Sequence, residues 1–169
     1  MRQVSPVSKR PHSESGFSEP PIDHPSRRRL PPLLRRTWYS LNQAFRRRLG
    51  PLNLTPDQFT VLRWLHEKSD TPLTQRQLAD LMASDPNTVT SVLNRMEAAG
   101  LIERKTHLTD RRAKNVLLLP HGNTIYAKAR RIAVDLQAEV MSAVPKAQRA
   151  RFLEQLEAVA DAARDVLEK

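Results

Sequence analysis

Between Pro86 and Ala99 the chain sets Asn87, Thr88, Thr90, Ser91, Asn94 and Arg95 among the apolar positions Val89, Val92, Leu93 and Met96. On a helix of 3.6 residues per turn the apolar four share one side. The other side then carries small hydrogen-bonding groups, one arginine and no acid. Such groups match the donors and acceptors of base edges in a DNA major groove, where a threonine methyl can also meet the thymine methyl. A helix face that only meets solvent would carry Glu-Lys pairs instead. A second cluster, Asp110-Arg111-Arg112 with Lys114, ends a stretch (101–114) holding five basic and two acidic residues. Arginine projected from a loop tip suits a narrow minor groove, where the potential is most negative. Asp110 can hold such an arginine by a charge-assisted bond.

Competing chemistries lack their residues. With no cysteine, thiolate catalysis, disulfides and cysteine-ligated zinc are excluded. Four glycines cannot assemble a phosphate-binding loop or a dinucleotide fingerprint. Of the five histidines, none pairs with another at metal-ligand spacing, and His66-Glu67 lacks the second histidine of a zinc protease helix. No nucleophile elbow is present. The expectation is a protein without catalytic residues, metal or cofactor.

The elements that must position the two clusters are legible around them. Thr74-Gln75-Arg76-Gln77 is a capping box opening a short helix with Leu78, Leu81 and Met82 inward. Met82 to Asp85 is the turn, and Pro86 opens the next helix, stopped at Gly100. A short helix, a tight turn and a second helix are the arrangement in which the second enters the groove. Leu101 to Lys105 and Asn115 to Leu119 read as two strands joined by a nine-residue loop. Upstream, Thr55-Pro56-Asp57-Gln58 starts a helix that ends near Lys68. Three longer stripes flank this region. They are Leu34, Trp38, Leu41, Phe45, Leu49; then Ile125, Ala129, Ile132, Leu136, Val140; then Phe152, Leu156, Val159, Ala163, Val166. They hold more apolar surface than so small a domain can cover, which implies a partner chain.

The expected class is mainly α with a small β-hairpin. Its parts are a basic Pro/Ser-rich disordered tail over 1–32, an N-terminal dimerisation helix over 33–51, a winged helix-turn-helix over 52–120 and C-terminal dimerisation helices over 121–169. The tail holds seven of the 13 prolines, six serines and a net +3 out of a total of +10. It lacks the apolar surface that would offset ordering. Arg27-Arg28-Arg29 within it reads as a solvated charge run sooner than as an arm touching phosphates, because a short basic cluster binds only when something else positions it. No apolar stretch approaches the ~20 residues of a membrane span, and no membrane partner is expected. The basic balance points to a polyanion. Specific duplex recognition and non-specific, nucleoid-type binding are then the two readings, separable by competition with unrelated DNA.

The run from Leu52 to Gly122 resembles the MarR family of winged-helix transcriptional regulators. The resemblance rests on Leu54-Thr55-Pro56-Asp57-Gln58-Phe59, on Thr88-Val89-Thr90 with Arg95-Met96-Glu97 and Gly100-Leu101-Ile102-Glu103-Arg104, and on Asp110-Arg111-Arg112 with Leu117 to Gly122. It implies a cytoplasmic bacterial homodimer that reads a pseudo-palindromic operator and acts as a repressor released by a small ligand. Among its implied roles, Arg112 of the Asp-x-Arg wing motif enters the minor groove. The candidate DNA contacts are Thr74, Gln75, Ser84, Pro86, Asn87, Thr88, Thr90, Ser91, Asn94, Arg95, Asp110, Arg111, Arg112 and Lys114. An effector cavity is implied between the DNA-binding and dimerisation lobes, with Arg35, Trp38, Phe59 and Arg63 as candidates suited to a small aromatic anion.

Overall fold

The computed structural model describes residues 21, 24, 29–106 and 113–168. The arginines of the tail at 27 and 28, and the wing-tip residues Asp110, Arg111 and Arg112, lie outside them. Among the described residues six α-helices and three strands follow in the order α1 (Leu30–Leu49), α2 (Pro56–Glu67), β1 (Leu73–Thr74), α3 (Gln75–Leu81), α4 (Pro86–Ala98), β2 (Ile102–Thr106), β3 (Lys114–Leu118), α5 (Pro120–Met141) and α6 (Arg149–Leu167). The chain divides into one unit ending at Tyr39 and a second running from Ser40.

Helix α1 begins at Leu30 and takes Pro31 and Pro32 into its first turn, where sequence reading starts it after them. Proline is tolerated there because the first N–H groups of a helix have no intrahelical acceptor in any case. The expected capping boxes form: Thr55 accepts from the Gln58 N–H while the Gln58 side chain takes the Thr55 N–H, and Thr74 with Gln77 does the same.

The hairpin of the sequence reading is a three-stranded antiparallel sheet, ordered β1-β3-β2. The two-residue β1 pairs Leu73 with Val116 and Thr74 with Asn115. It is too short for the period-2 alternation that marks a strand. Strands β2 and β3 pair Ile102 with Leu118 through Thr106 with Lys114. Each therefore sits one residue from its expected span, in the register that buries both Ile102 and Val116. Val61, Leu62, Leu78, Val89, Val92, Leu93, Met96, Ile102 and Val116 form a core closed to solvent under α2, α3, α4 and the sheet.

Two joints tie the sheet to the helices. Gly100 takes a φ of 66°, and the N–H groups of Gly100 and Leu101 reach the carbonyls of Glu97 and Met96. That is a Schellman closure, and it turns α4 straight into β2. At the other end, the Leu119 N–H bonds the Leu101 carbonyl at 3.1 Å. A Cβ at Gly122 would lie 2.1 Å from that same oxygen. Among the described residues no helix is long and apolar enough to cross a membrane.

Candidate nucleic-acid interface

Helix α4 buries Val89, Val92, Leu93 and Met96. That leaves Pro86, Asn87, Thr88, Ser91, Asn94 and Arg95 exposed and Thr90 half-buried. The expected division of faces is therefore present. Helix α3 packs against α4, and a polar contact ties them: the Gln75 amide donates to the Thr90 hydroxyl. The Thr90 hydroxyl in turn donates to the Pro86 carbonyl at 2.8 Å. Its proton and one lone pair are thus spent inside the protein, so its outward group is chiefly the methyl. Thr74 caps α3 at its start, and Ser84 lies half-buried in the turn after it.

Asp85 sets the charge at the tip of α4. Its Oδ1 accepts from the N–H of Asn87 at 2.8 Å and of Thr88 at 3.1 Å. A bare helix N-terminus attracts phosphate, but here a carboxylate already occupies two of the free N–H groups. Those two N–H groups are therefore not open to a phosphate. The sequence placed Asp85 in the turn without assigning it this role.

At the C-terminal end of α4, Glu97 with Arg104 and Asn94 forms a connected group that sequence reasoning missed as a site. Glu97 Oε1 accepts the Arg104 backbone N–H at 2.9 Å. Its Oε2 accepts from Arg104 Nε at 3.0 Å and Nη2 at 2.6 Å. Nη2 also donates to Asn94 Oδ1 at 2.7 Å. The hydrogen bond from the Arg104 side chain, partly opposed by loss of hydration, holds the Glu97 carboxyl below its ordinary 4.5. The available signal was a lone acid at the end of α4 with a basic residue seven positions on, across a glycine turn. Arg95 bonds its own helix instead, Nε to the Ser91 carbonyl at 3.3 Å. Lys114 is exposed at the start of β3, opposite Thr106.

Of the four effector candidates, Arg35 and Trp38 belong to the first unit and Phe59 and Arg63 to the second. Phe59 is buried, edge-on to Phe45 at 5.0 Å and stacked on Tyr126 at 5.8 Å. Arg63 lies over the Trp64 ring at 5.0 Å. Arg35 and Trp38 are exposed on α1, Trp38 by 65%. A cavity of about 790 Å³ is lined by other groups, including His66, Lys68, Leu73, Glu103 and Asn123. Among those residues no cluster of three or more metal-ligating side chains occurs.

Residues 54–114 match the model of the MarR family. An uncharacterized HTH-type transcriptional regulator of Bacillus subtilis, YsmB, is 35% identical over 85 residues, covering 50% of this chain and 57% of its own length. The chain spans little more than half the length of the curated relatives it matches. The S. aureus MepR–DNA complex superposes with a TM-score of 0.73 at 21% identity, over 78% of this chain and 95% of MepR. Bordetella bronchiseptica BpsR, whose DNA binding is regulated by 6-hydroxynicotinic acid, gives 0.69 at 24% identity, over 76% and 96%. At these identities the likeness is one of fold: a winged helix.

Proposed function

From the premise that residues 54–114 are a MarR-family domain, we propose that this chain is a sequence-specific, duplex-DNA-binding transcriptional regulator. One observation carries the reading. Helix α4 turns Asn87, Thr88, Ser91, Asn94 and Arg95 to solvent with no acid between them, over a sealed apolar side. Base edges would be met by Ser91, Asn94 and the Thr90 methyl. Pro86, Asn87, Thr88 and Arg95 would lie along the groove walls, and Thr74, Gln75 and Ser84 at its edge. The wing would add Lys114 and, on the sequence argument, Arg111 and Arg112 steadied by Asp110. The regulator would work as a homodimer on a pseudo-palindrome, with half-sites about 10 bp apart.

Repression relieved by a small aromatic anion belongs to the same proposal, supported by what BpsR responds to. The test is selection from a randomised duplex library, then competition of the enriched duplex against scrambled DNA at physiological salt. A specific regulator favours the enriched duplex by roughly 10³–10⁷. No enrichment, with equal affinity for both duplexes, would leave the non-specific nucleoid-type reading in its place. Arg112→Ala should weaken both duplexes together and lower the salt slope by about one. Adding 6-hydroxynicotinate to the specific complex tests release.

A further inference from the structure

We infer that Asn94 reads DNA as a hydrogen-bond donor only, because Arg104, clamped by Glu97, holds its carbonyl oxygen turned into the protein. The inference rests on the proposed duplex recognition and adds the specificity of one position to it.

An asparagine amide has two faces, an accepting oxygen and a donating NH2. Free to rotate, it recognises adenine with both at once, accepting from N6 and donating to N7. Here rotation is blocked. The Arg104 guanidinium can only donate, so the atom it meets at 2.7 Å must be Oδ1. Arg104 itself has little freedom, since its backbone N–H and two side-chain nitrogens all bind the Glu97 carboxylate. Its side chain is only 15% exposed. The clamp joins α4 to β2 directly behind the Schellman turn, so neither partner can drift without moving an element. The exposed Asn94 is left with its NH2 as the group for a ligand.

A donor in the major groove is matched by guanine, which offers both O6 and N7. It is opposed by cytosine, whose edge offers the N4 donor. The bidentate advantage of adenine is lost. Arg104 is therefore a positioning residue: it touches no base and acts through Asn94.

The experiment repeats the library selection with the full-length wild type and with Asn94→Asp and Arg104→Gln, with thermal melts to confirm that each variant is folded. Wild type should enrich guanine at one position of its site. Asn94→Asp keeps the oxygen that Arg104 binds but replaces the NH2 with a second acceptor. It should therefore move the preference at that position to cytosine, with about tenfold discrimination. Arg104→Gln should relax the same position toward adenine while leaving the rest of the site and the salt slope unchanged. A purely structural clamp would move none of these base preferences. If Arg104→Gln selects the wild-type site unaltered, or Asn94→Asp shows no shift at any position, the inference is overturned. If Arg104→Gln instead weakens every duplex alike and lowers the salt slope by about one, Arg104 is a phosphate contact and the inference again falls. If the wild type enriches no sequence, the recognition reading itself fails, and the inference with it.

Discussion

At the scale of single residues, Glu97 gives a pH-dependent test. Its carboxyl is held below 4.5 by the Arg104 hydrogen bonds, so the folded protein binds that proton less readily than the unfolded chain. The stabilisation is complete above 4.5 and is lost as pH falls through the lower, folded value. Glu97→Gln should therefore melt below wild type at pH 7, and the gap should close as the melts are repeated below 4.5. A gap independent of pH would remove the ion pair as its cause. Gly122 tests packing in the same way. Any side chain there meets backbone, the Leu101 carbonyl at 2.1 Å, with the Leu118 methyl at 2.9 Å. Since a carbonyl cannot rotate aside as a side chain can, Gly122→Ala should cost about 1–3 kcal/mol in denaturant unfolding.

Among the elements, the turn between α3 and α4 carries a cost. Ala83 has a φ of 47°, a left-handed conformation that an L residue adopts at a penalty of about 1–2 kcal/mol. Glycine removes the penalty but gives back roughly 0.4–1 kcal/mol through the unfolded chain. Ala83→Gly should raise the melting temperature by about 1–2 °C. A lowered melting temperature would show that the alanine methyl is packed rather than strained. This turn was legible in sequence from the capping box at Thr74, the apolar spacing of Leu78 and Leu81, and Pro86. Its strained residue was not, because nothing in a one-dimensional pattern marks alanine at positive φ. The same holds for β1, which exists only because β3 lies beside it. The polar face of α4 could be read because burial has a period. The link from Asn94 to Arg104 could not, since it depends on where β2 returns after Gly100. Thr90 shows the converse: its place on the face was legible, but the bonds that occupy its hydroxyl run to Gln75 and Pro86 and needed the fold.

At the scale of the whole molecule, α6 keeps its apolar stripe open among the described residues. None of its 19 residues is buried, and Phe152, Leu153, Leu156 and Val159 are 36–43% exposed. Burying each such side chain fully is worth about 1.5–3 kcal/mol, and a second copy of the chain supplies the cover in the proposed dimer. Light scattering at micromolar concentration should give twice 19.3 kDa. Leu156→Glu should halve that mass while leaving the winged-helix core folded, and a dimer that survives it would place the interface elsewhere. The joint at Leu101 then acquires a mechanical meaning. Helix α4 runs into β2 at one side of that residue, and α5 is seated against its carbonyl at the other. A rigid joint there would couple α4 to α5, whose 22 residues make an arm of about 33 Å. Tilting that arm by about 10° displaces its end by about 6 Å. That is about a sixth of the roughly 34 Å between successive major-groove half-sites, so in the proposed dimer a change of angle where the two arms cross would shift both reading heads against the groove.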